Sequence, residues 1–479
     1  MKRFSIALLL TGFFLSAGCV GPATTANPRT MTFAPMKYEI PKAERFVLAN
    51  GVIVYLLSDR DLPLVNITAY VGTGAIYEPA EKAGLAGLTA AVMRSGGIRG
   101  TTPEELDGDL EFMASAVECS IGADLGNVSL STLGKNFDRT LELFAGVMMT
   151  PAFNQARFDL AVRKSMEALR RQNDDPKGVA DRELRKALYA GHPLGRYPTP
   201  TTVSAITRDD LIAFHKKYYV PNNVILAVSG DIGRRELEEK LNAVFGNWQR
   251  ATVEFPTVPW PEMTMKPEVL FVKKEIDQSV IRMGHMGITK DNPDIYAIRV
   301  MDFILGGNGF NSRLMSEIRT KQGLTYNVVS YFDVGRKLPG IFLAETETKS
   351  GATAKTMGIM LRLMTDITLE SVSEEELTLA KESMINSFVF GFTRSDMIVN
   401  QRARLEYYGY PREYLEKYRD NIARITREDV LRVAREYLHP DRLTKVVVGN
   451  DTTFDQSLAT FGTVRRVTLD ERILLDKKR

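Results

Sequence analysis

The chain has 479 residues, too many for a single core and enough for about two to four domains. Hydrophobic residues make up 44% and charged residues 25%, ordinary proportions for a globular protein. The net charge is +3, or about +1 without Lys2 and Arg3, and no basic run is dense enough to track phosphates, which argues against a nucleic-acid partner.

Residues 1–18 read as a signal segment. Lys2-Arg3 precede an apolar run from Ile6 to Leu15 that is too short to span a bilayer, and small residues then lead to Cys19. The pattern resembles a bacterial lipoprotein signal with Cys19 as the acylated first mature residue, although Ser16 stands where such signals carry an aliphatic side chain. A plain secreted signal is the alternative. Val20, rather than Asp, after the cysteine favours the outer membrane of the periplasm by that same resemblance. Only Cys119 would then remain, so no intrachain disulfide is expected and stability must come from packed cores. Residues 19–37, small, polar and Pro-containing, read as a flexible tether.

The body begins near Tyr38. Phe46-Val47-Leu48, Asn50-Gly51 and Val52 to Leu57 form a hairpin signal, because Asn-Gly suits the positive φ values of a tight turn. Leu64 to Val71 alternates as a strand does, and Ala83 to Met93, apolar nearly all round, reads as a buried helix. Thr102-Pro103-Glu104-Glu105 is a helix start with a Thr cap and Pro at the first turn. Strands over 116–121 and 127–133 and helices over 137–149 and 158–171 follow, and Arg163, Lys164, Arg170 and Arg171 read as the wet face of the last.

A repeat then organises the chain. Ile206-Thr207-Arg208-Asp209-Asp210-Leu211, Tyr218, Pro221 and Val228-Ser229-Gly230 recur as Ile425-Thr426-Arg427-Glu428-Asp429-Val430, Tyr437, Pro440 and Val447-Val448-Gly449, always at one constant offset, that from Thr207 to Thr426. Each copy is a capped amphipathic helix, a Pro that stops it and an apolar strand, so a duplication into two similar halves is expected. The halves would span 38–250 and 269–479, joined by a Pro-rich linker over 251–268. Intermingled strands and helices with hairpin connections favour an α+β fold, each half an antiparallel sheet packed with helices.

In Leu305 to Tyr326, LGGNGFNSRLMSEIRTKQGLTY, a glycine-rich loop opens a short charged helix. Arg319 and Tyr326 stand seven residues apart, a spacing that can aim a guanidinium and a phenol at one peptide carbonyl. Spacing alone leaves an ordinary solvated Arg and Tyr as the alternative.

NGVIVYLLSDRDLPLV, VGTGAIYEPAEKAGLAGL, GHPLGRYPTPTTVSAITRDDLIAFHKKYYVPNNVILAVSGD and the stretch just quoted together resemble the M16 zinc metallopeptidases, the family of pitrilysin, insulinase and the mitochondrial processing peptidase. The resemblance covers nearly everything after residue 40. It implies two homologous α+β domains that form half of a clam-shell around a peptide-degrading chamber. It also implies two His and one Glu as zinc ligands and a second Glu as general base, three of these four groups in His-x-x-Glu-His and the last about 77 residues on. In this sequence those positions read Gly87, Ala90, Ala91 and Ala168, so no metal site is expected in this chain. The four histidines of the chain, His192, His215, His285 and His439, are widely scattered in sequence and give no local substitute.

Arg319 and Tyr326, by contrast, match the pair with which active members bind the substrate backbone and stabilise the tetrahedral intermediate. The resemblance therefore implies a zinc-less subunit whose partner is a zinc-bearing M16 chain in a heterodimer acting on peptides, with zinc in the partner. A structural or peptide-binding scaffold without catalytic role is the alternative. Gly306-Gly307-Asn308-Gly309 resembles a shortened form of the processing peptidase's glycine-rich loop, or is simply a helix-ending turn. Ala116 to Ile121 corresponds to the strand at which family members pair an extended substrate.

Overall fold

The computed structural model describes residues 38–263, 267–307 and 309–469. The signal segment, Cys19, the tether, Asn308 and part of the linker lie outside them.

β1 (Glu44–Val47) and β2 (Ile53–Ser58) pair antiparallel across the Asn50-Gly51 turn, where Gly51 has a φ of 94°. With β3 (Leu64–Val71), β4 (Ala116–Ile121), β5 (Gly126–Leu133) and β6 (Val224–Gly230) they make a sheet of order β1-β2-β6-β3-β5-β4. A second sheet, of order β12-β7-β11-β8-β10-β9, is built from β7 (Glu268–Lys273), β8 (Gln278–Met286), β9 (Val328–Asp333), β10 (Ile341–Lys349), β11 (Thr444–Gly449) and β12 (Thr463–Arg466). Five consecutive positions correspond, β2-β6-β3-β5-β4 with β7-β11-β8-β10-β9, so the repeat extends to topology. Both sheets are mixed rather than purely antiparallel. β2 runs parallel to β6, and β7 runs parallel to both β11 and β12.

Helices cover the sheets. The first half contributes α1 (Leu85–Ser95), α2 (Pro103–Phe112), α3 (Phe137–Met149), α4 (Gln155–Arg171), α5 (Pro176–Leu188), α6 (Pro200–Ser204), α7 (Arg208–Tyr218) and α8 (Arg234–Phe245). The second contributes α9 (Ile295–Asp302), α10 (Thr353–Leu369), α11 (Glu374–Ser387), α12 (Ser395–Tyr407), α13 (Tyr414–Ala423) and α14 (Arg427–Tyr437). The repeated helices α7 and α14 both start in capping boxes, Thr207 with Asp210 and Thr426 with Asp429, each cap worth roughly 1 kcal/mol. One apolar core joins the first sheet to α1, α3, α7 and α8 through residues such as Leu56, Ile67, Val92, Phe144, Leu211 and Leu241. Another joins Ile281, Phe342 and Val447 of the second sheet to Ile298, Met360 and Val433. Among the described residues no helix is long and apolar enough to cross a membrane.

Two helices are exchanged between the halves. α5 packs on β8 and β11 of the second sheet, where Val179, Leu184 and Leu188 meet Val280, Leu343 and Val446. α12 packs on β2, β3 and β6 of the first sheet, where Val399 and Ala403 meet Tyr70, Ile225 and Ala227. Pro176 and Leu188, the ends of α5, correspond to Ser395 and Tyr407, the ends of α12, at the offset of the repeat, so these are the two copies of one helix. Ion pairs fasten each to its adopted sheet. Arg282, 4% exposed, donates to Asp181 of α5 at 2.7 Å, and Arg45 donates to Glu406 of α12 at 2.7 Å.

Candidate functional site

Arg319 sits on the π-helical segment Met315–Lys321, anchored by the buried side chains of Met315 and Ile318. Gly323, with a φ of 61°, ends the segment. Its N–H donates to Arg319 O at 3.0 Å, and Leu324 N donates to Ile318 O at 3.0 Å. The chain then turns toward β9. Thr325 Oγ1 donates to Glu347 O at 2.6 Å and Thr348 Oγ1 donates to Leu324 O at 2.7 Å, which pins this turn to β10. The result is convergence: the Arg319 guanidinium carbon lies 4.6 Å from the centre of the Tyr326 ring.

Phe310, which no spacing in the sequence singles out, has its ring centre 4.4 Å from the same carbon. Phe310 and Tyr326 therefore hold the guanidinium between two aromatic rings. Phe310 and Arg319 are nine positions apart with a bend at Ser312 between them, so no helical period links the two. Phe310 is 63% and Tyr326 83% exposed, an uncommon degree of exposure for large rings. Both rings lie within cation–π distance of the guanidinium. The N–H groups lie in its plane, and among the described residues they make no side-chain hydrogen bond or ion pair, so they can reach a carbonyl presented from outside.

Beneath this segment Gly306 meets β9 closely; a Cβ there would lie 2.3 Å from Ser330 N. Ser330 Oγ in turn donates to the buried carboxyl of Asp302 at 2.8 Å. Burial pushes that carboxyl up to about 7, against the smaller opposing effect of the hydrogen bonds it accepts.

The four positions matching the zinc groups lie on α1 and α4, which pack together. Gly87 and Ala91, one turn apart, are the exposed positions of a helix that is otherwise buried through Leu85, Ala86, Leu88, Thr89, Ala90, Val92 and Met93, as its apolar sequence leads one to expect. Ala90 is buried and Ala168 exposed. Hydrogen and methyl groups have no lone pair to give a metal, so these residues do not fit zinc. Neighbouring Glu167 is engaged by Arg171 at 2.9 Å and Arg170 at 3.4 Å, and the Arg171 hydrogen bond holds its carboxyl below the usual range. Among the described residues no three His, Cys, Asp or Glu side chains gather as a metal site.

The histidines serve packing. His192 Nε2 donates to Pro259 O at 2.8 Å while Nδ1 accepts from Leu194 N, which ties the linker to the first half; Phe255 also packs at a tilt against Tyr77, 5.1 Å between centres. His215 is buried against Met148 O. His285 and His439, far apart in sequence, are neighbours with ring centres 5.4 Å apart, because β8 and the turn after α14 meet at this point. β4 forms the edge of the first sheet, with Ala116 and Glu118 exposed. Cys119 on it is a free thiol.

The family model described as insulinase (peptidase family M16) matches residues 54–200, and that described as peptidase M16 inactive domain matches 205–384. Together they cover more than half of the chain. The chain belongs to peptidase family M16. Its M16 relatives include the "Non-peptidase homolog YmxG" of Helicobacter pylori, 23% identical over 94% of this chain and 99% of that protein. The "Uncharacterized zinc protease YmxG" of Bacillus subtilis is 22% identical over 83% of this chain and 96% of its own length. Among solved M16 structures, a peptidase M16 inactive domain from Pseudomonas fluorescens is 26% identical with a TM-score of 0.77, covering 86% of this chain and 98% of that one. The periplasmic protease PqqL of Escherichia coli, 14% identical, shares the fold with a TM-score of 0.72 over 86% of this chain and 47% of that one.

Proposed function

We propose that this chain is a zinc-less M16 subunit that pairs with a zinc-bearing M16 chain and completes its active site with Arg319 and Tyr326. The observation that carries the reading is the exposed stack of Arg319 on Tyr326 in a chain whose Gly87, Ala90, Ala91 and Ala168 have no metal-ligating atoms. In the pair, zinc and the general base belong to the partner. The Arg319 N–H groups and the Tyr326 hydroxyl hold the substrate backbone and take up negative charge as the carbonyl is attacked. Alone, the chain is not a peptidase. The name of the Helicobacter pylori relative supports that non-peptidase reading. The complex belongs in the periplasm, with Cys19 as lipid anchor to the outer membrane.

The test is co-expression with the zinc-bearing M16 chain, followed by zinc content and peptide cleavage of each chain and of the pair. Activity should belong to the pair, and Arg319→Ala or Tyr326→Phe should lower turnover while assembly persists. Full activity in both variants would overturn the assignment. Activity of this chain alone would overturn it too.

A further inference from the structure

A cavity of about 580 Å³ opens where α12, α13 and α9 meet the first sheet. Three arginines reach it, Arg299, Arg336 and Arg404, and no carboxylate lines it. The ion pairs of this region use other arginines: Arg402 bonds Glu416, and Arg45 bonds Glu406. Among the described residues none involves the three in the cavity. Two are held by aromatic faces, Arg336 at 4.8 Å from the Tyr408 ring centre and Arg299 at 5.8 Å from that of Tyr418. Five tyrosines, Phe388 and Met397 supply most of the remaining wall, which also includes Asn400, Gln401 and Leu405.

The duplication provides an internal comparison. At the offset of the repeat, Asp181 and Arg185 of α5 become Asn400 and Arg404 of α12. In the α5 copy Asp181 accepts from Arg282 at 2.7 Å, and Arg185 lies 3.8 Å from Asp333. In the α12 copy the acid is an amide, and Tyr70 Oη donates to Asn400 Oδ1 at 3.1 Å. One copy is neutralised from within, and the other keeps guanidiniums without a carboxylate partner around a space far larger than a single inorganic ion.

We infer that this cavity binds an organic anion, a carboxylate or phosphate head on an aromatic body. The guanidiniums receive the head through charge-assisted hydrogen bonds, and the tyrosine, Phe388 and Met397 walls receive the body, the usual division of labour in a small-molecule site. This inference stands independently of the Arg319–Tyr326 reading.

Calorimetric titration of the purified chain tests it, with phenyl phosphate, benzoate, inorganic phosphate and benzyl alcohol as probes. Phenyl phosphate or benzoate should bind saturably at one site, and which of the two binds more tightly identifies the head group. Arg404→Gln and Arg336→Gln should each weaken that binding by about tenfold or more, at an unchanged melting temperature. Asn400→Asp, which restores the acid of the α5 copy and keeps the acceptor for Tyr70, should weaken it as much. No saturable binding of either aromatic anion at millimolar concentration would overturn the inference, as would equal binding by all three variants. Equal affinity for benzyl alcohol would show an apolar cavity only, and equal affinity for inorganic phosphate would remove the aromatic body from the proposal.

Discussion

Phe310 and Tyr326 hold the Arg319 guanidinium between them, 4.4 Å from one ring centre and 4.6 Å from the other. An exposed cation–π contact is worth roughly 0.5–1 kcal/mol, too little to fix a fold but enough to keep one rotamer of a long side chain populated. If the chain completes a partner's active site as proposed, Phe310 is a positioning residue for Arg319. In the reconstituted pair Phe310→Ala should reduce peptide turnover, though less than Arg319→Ala does. Phe310→Tyr should restore it, and the melting temperature should hardly move. Turnover unchanged by Phe310→Ala would show that the second ring is incidental.

The repeat at constant offset made the two-sheet plan legible, because Thr-x-x-Asp caps and apolar strands are local signals that survive without neighbours. The seven-residue spacing of Arg319 and Tyr326 already allowed the approach of guanidinium to ring that the structure shows. Phe310 stayed hidden, since the bend at Ser312 that lies between it and Arg319 leaves no periodic spacing to read. The His285–His439 contact and the exchange of α5 and α12 were equally hidden. Both depend on which sheet an amphipathic face finds, and Val179 or Val399 would be apolar on either.

Asp302 should make the fold less stable as pH rises. Its carboxyl titrates at about 7 when folded, against an ordinary 3.8, so between those values the folded state binds more protons than the unfolded state. Stability from this group is full below about pH 3.8 and is lost as pH rises through about 7, at most roughly 1.4 kcal/mol per pH unit. Asp302→Asn keeps an acceptor for Ser330 and should flatten that part of the profile. Denaturant melts of both proteins from pH 4 to 8 check it, and parallel curves would contradict the buried acid.

His285 works in the opposite direction. Its Nδ1–H donates to Met286 O at 2.7 Å and Nε2 accepts from His439 N at 3.3 Å, so the neutral ring satisfies both neighbours, while a proton on Nε2 would face another donor. Burial lowers it from 6.5 to about 4, and His215 is lowered likewise to about 4. Between pH 6.5 and 4 the unfolded chain binds the extra protons, so stability from these rings falls as pH falls. His285→Phe should be less stable at pH 7, because it strands Met286 O, yet lose less on acidification to pH 4 than the parent. The same melts measure it, and an equal acid loss would show that His285 does not titrate on unfolding.

The exchanged helices predict how the chain behaves when cut. Residues 251–263 have no helix or strand and connect the halves, so a protease site placed there should be cleaved without disturbing either sheet. The fragments should nevertheless co-elute in size-exclusion chromatography. α5 leaves with the first fragment but has its apolar face on β8 and β11, and α12 leaves with the second but covers β2, β3 and β6. Separation would expose both apolar faces and break Arg282 from Asp181 and Arg45 from Glu406. Val399→Asp puts a charge into the α12 contact, at a residue with no exposed surface, and should release the cut fragments from one another. Fragments that part without that substitution would mean that the linker, rather than the helix exchange, holds the halves together.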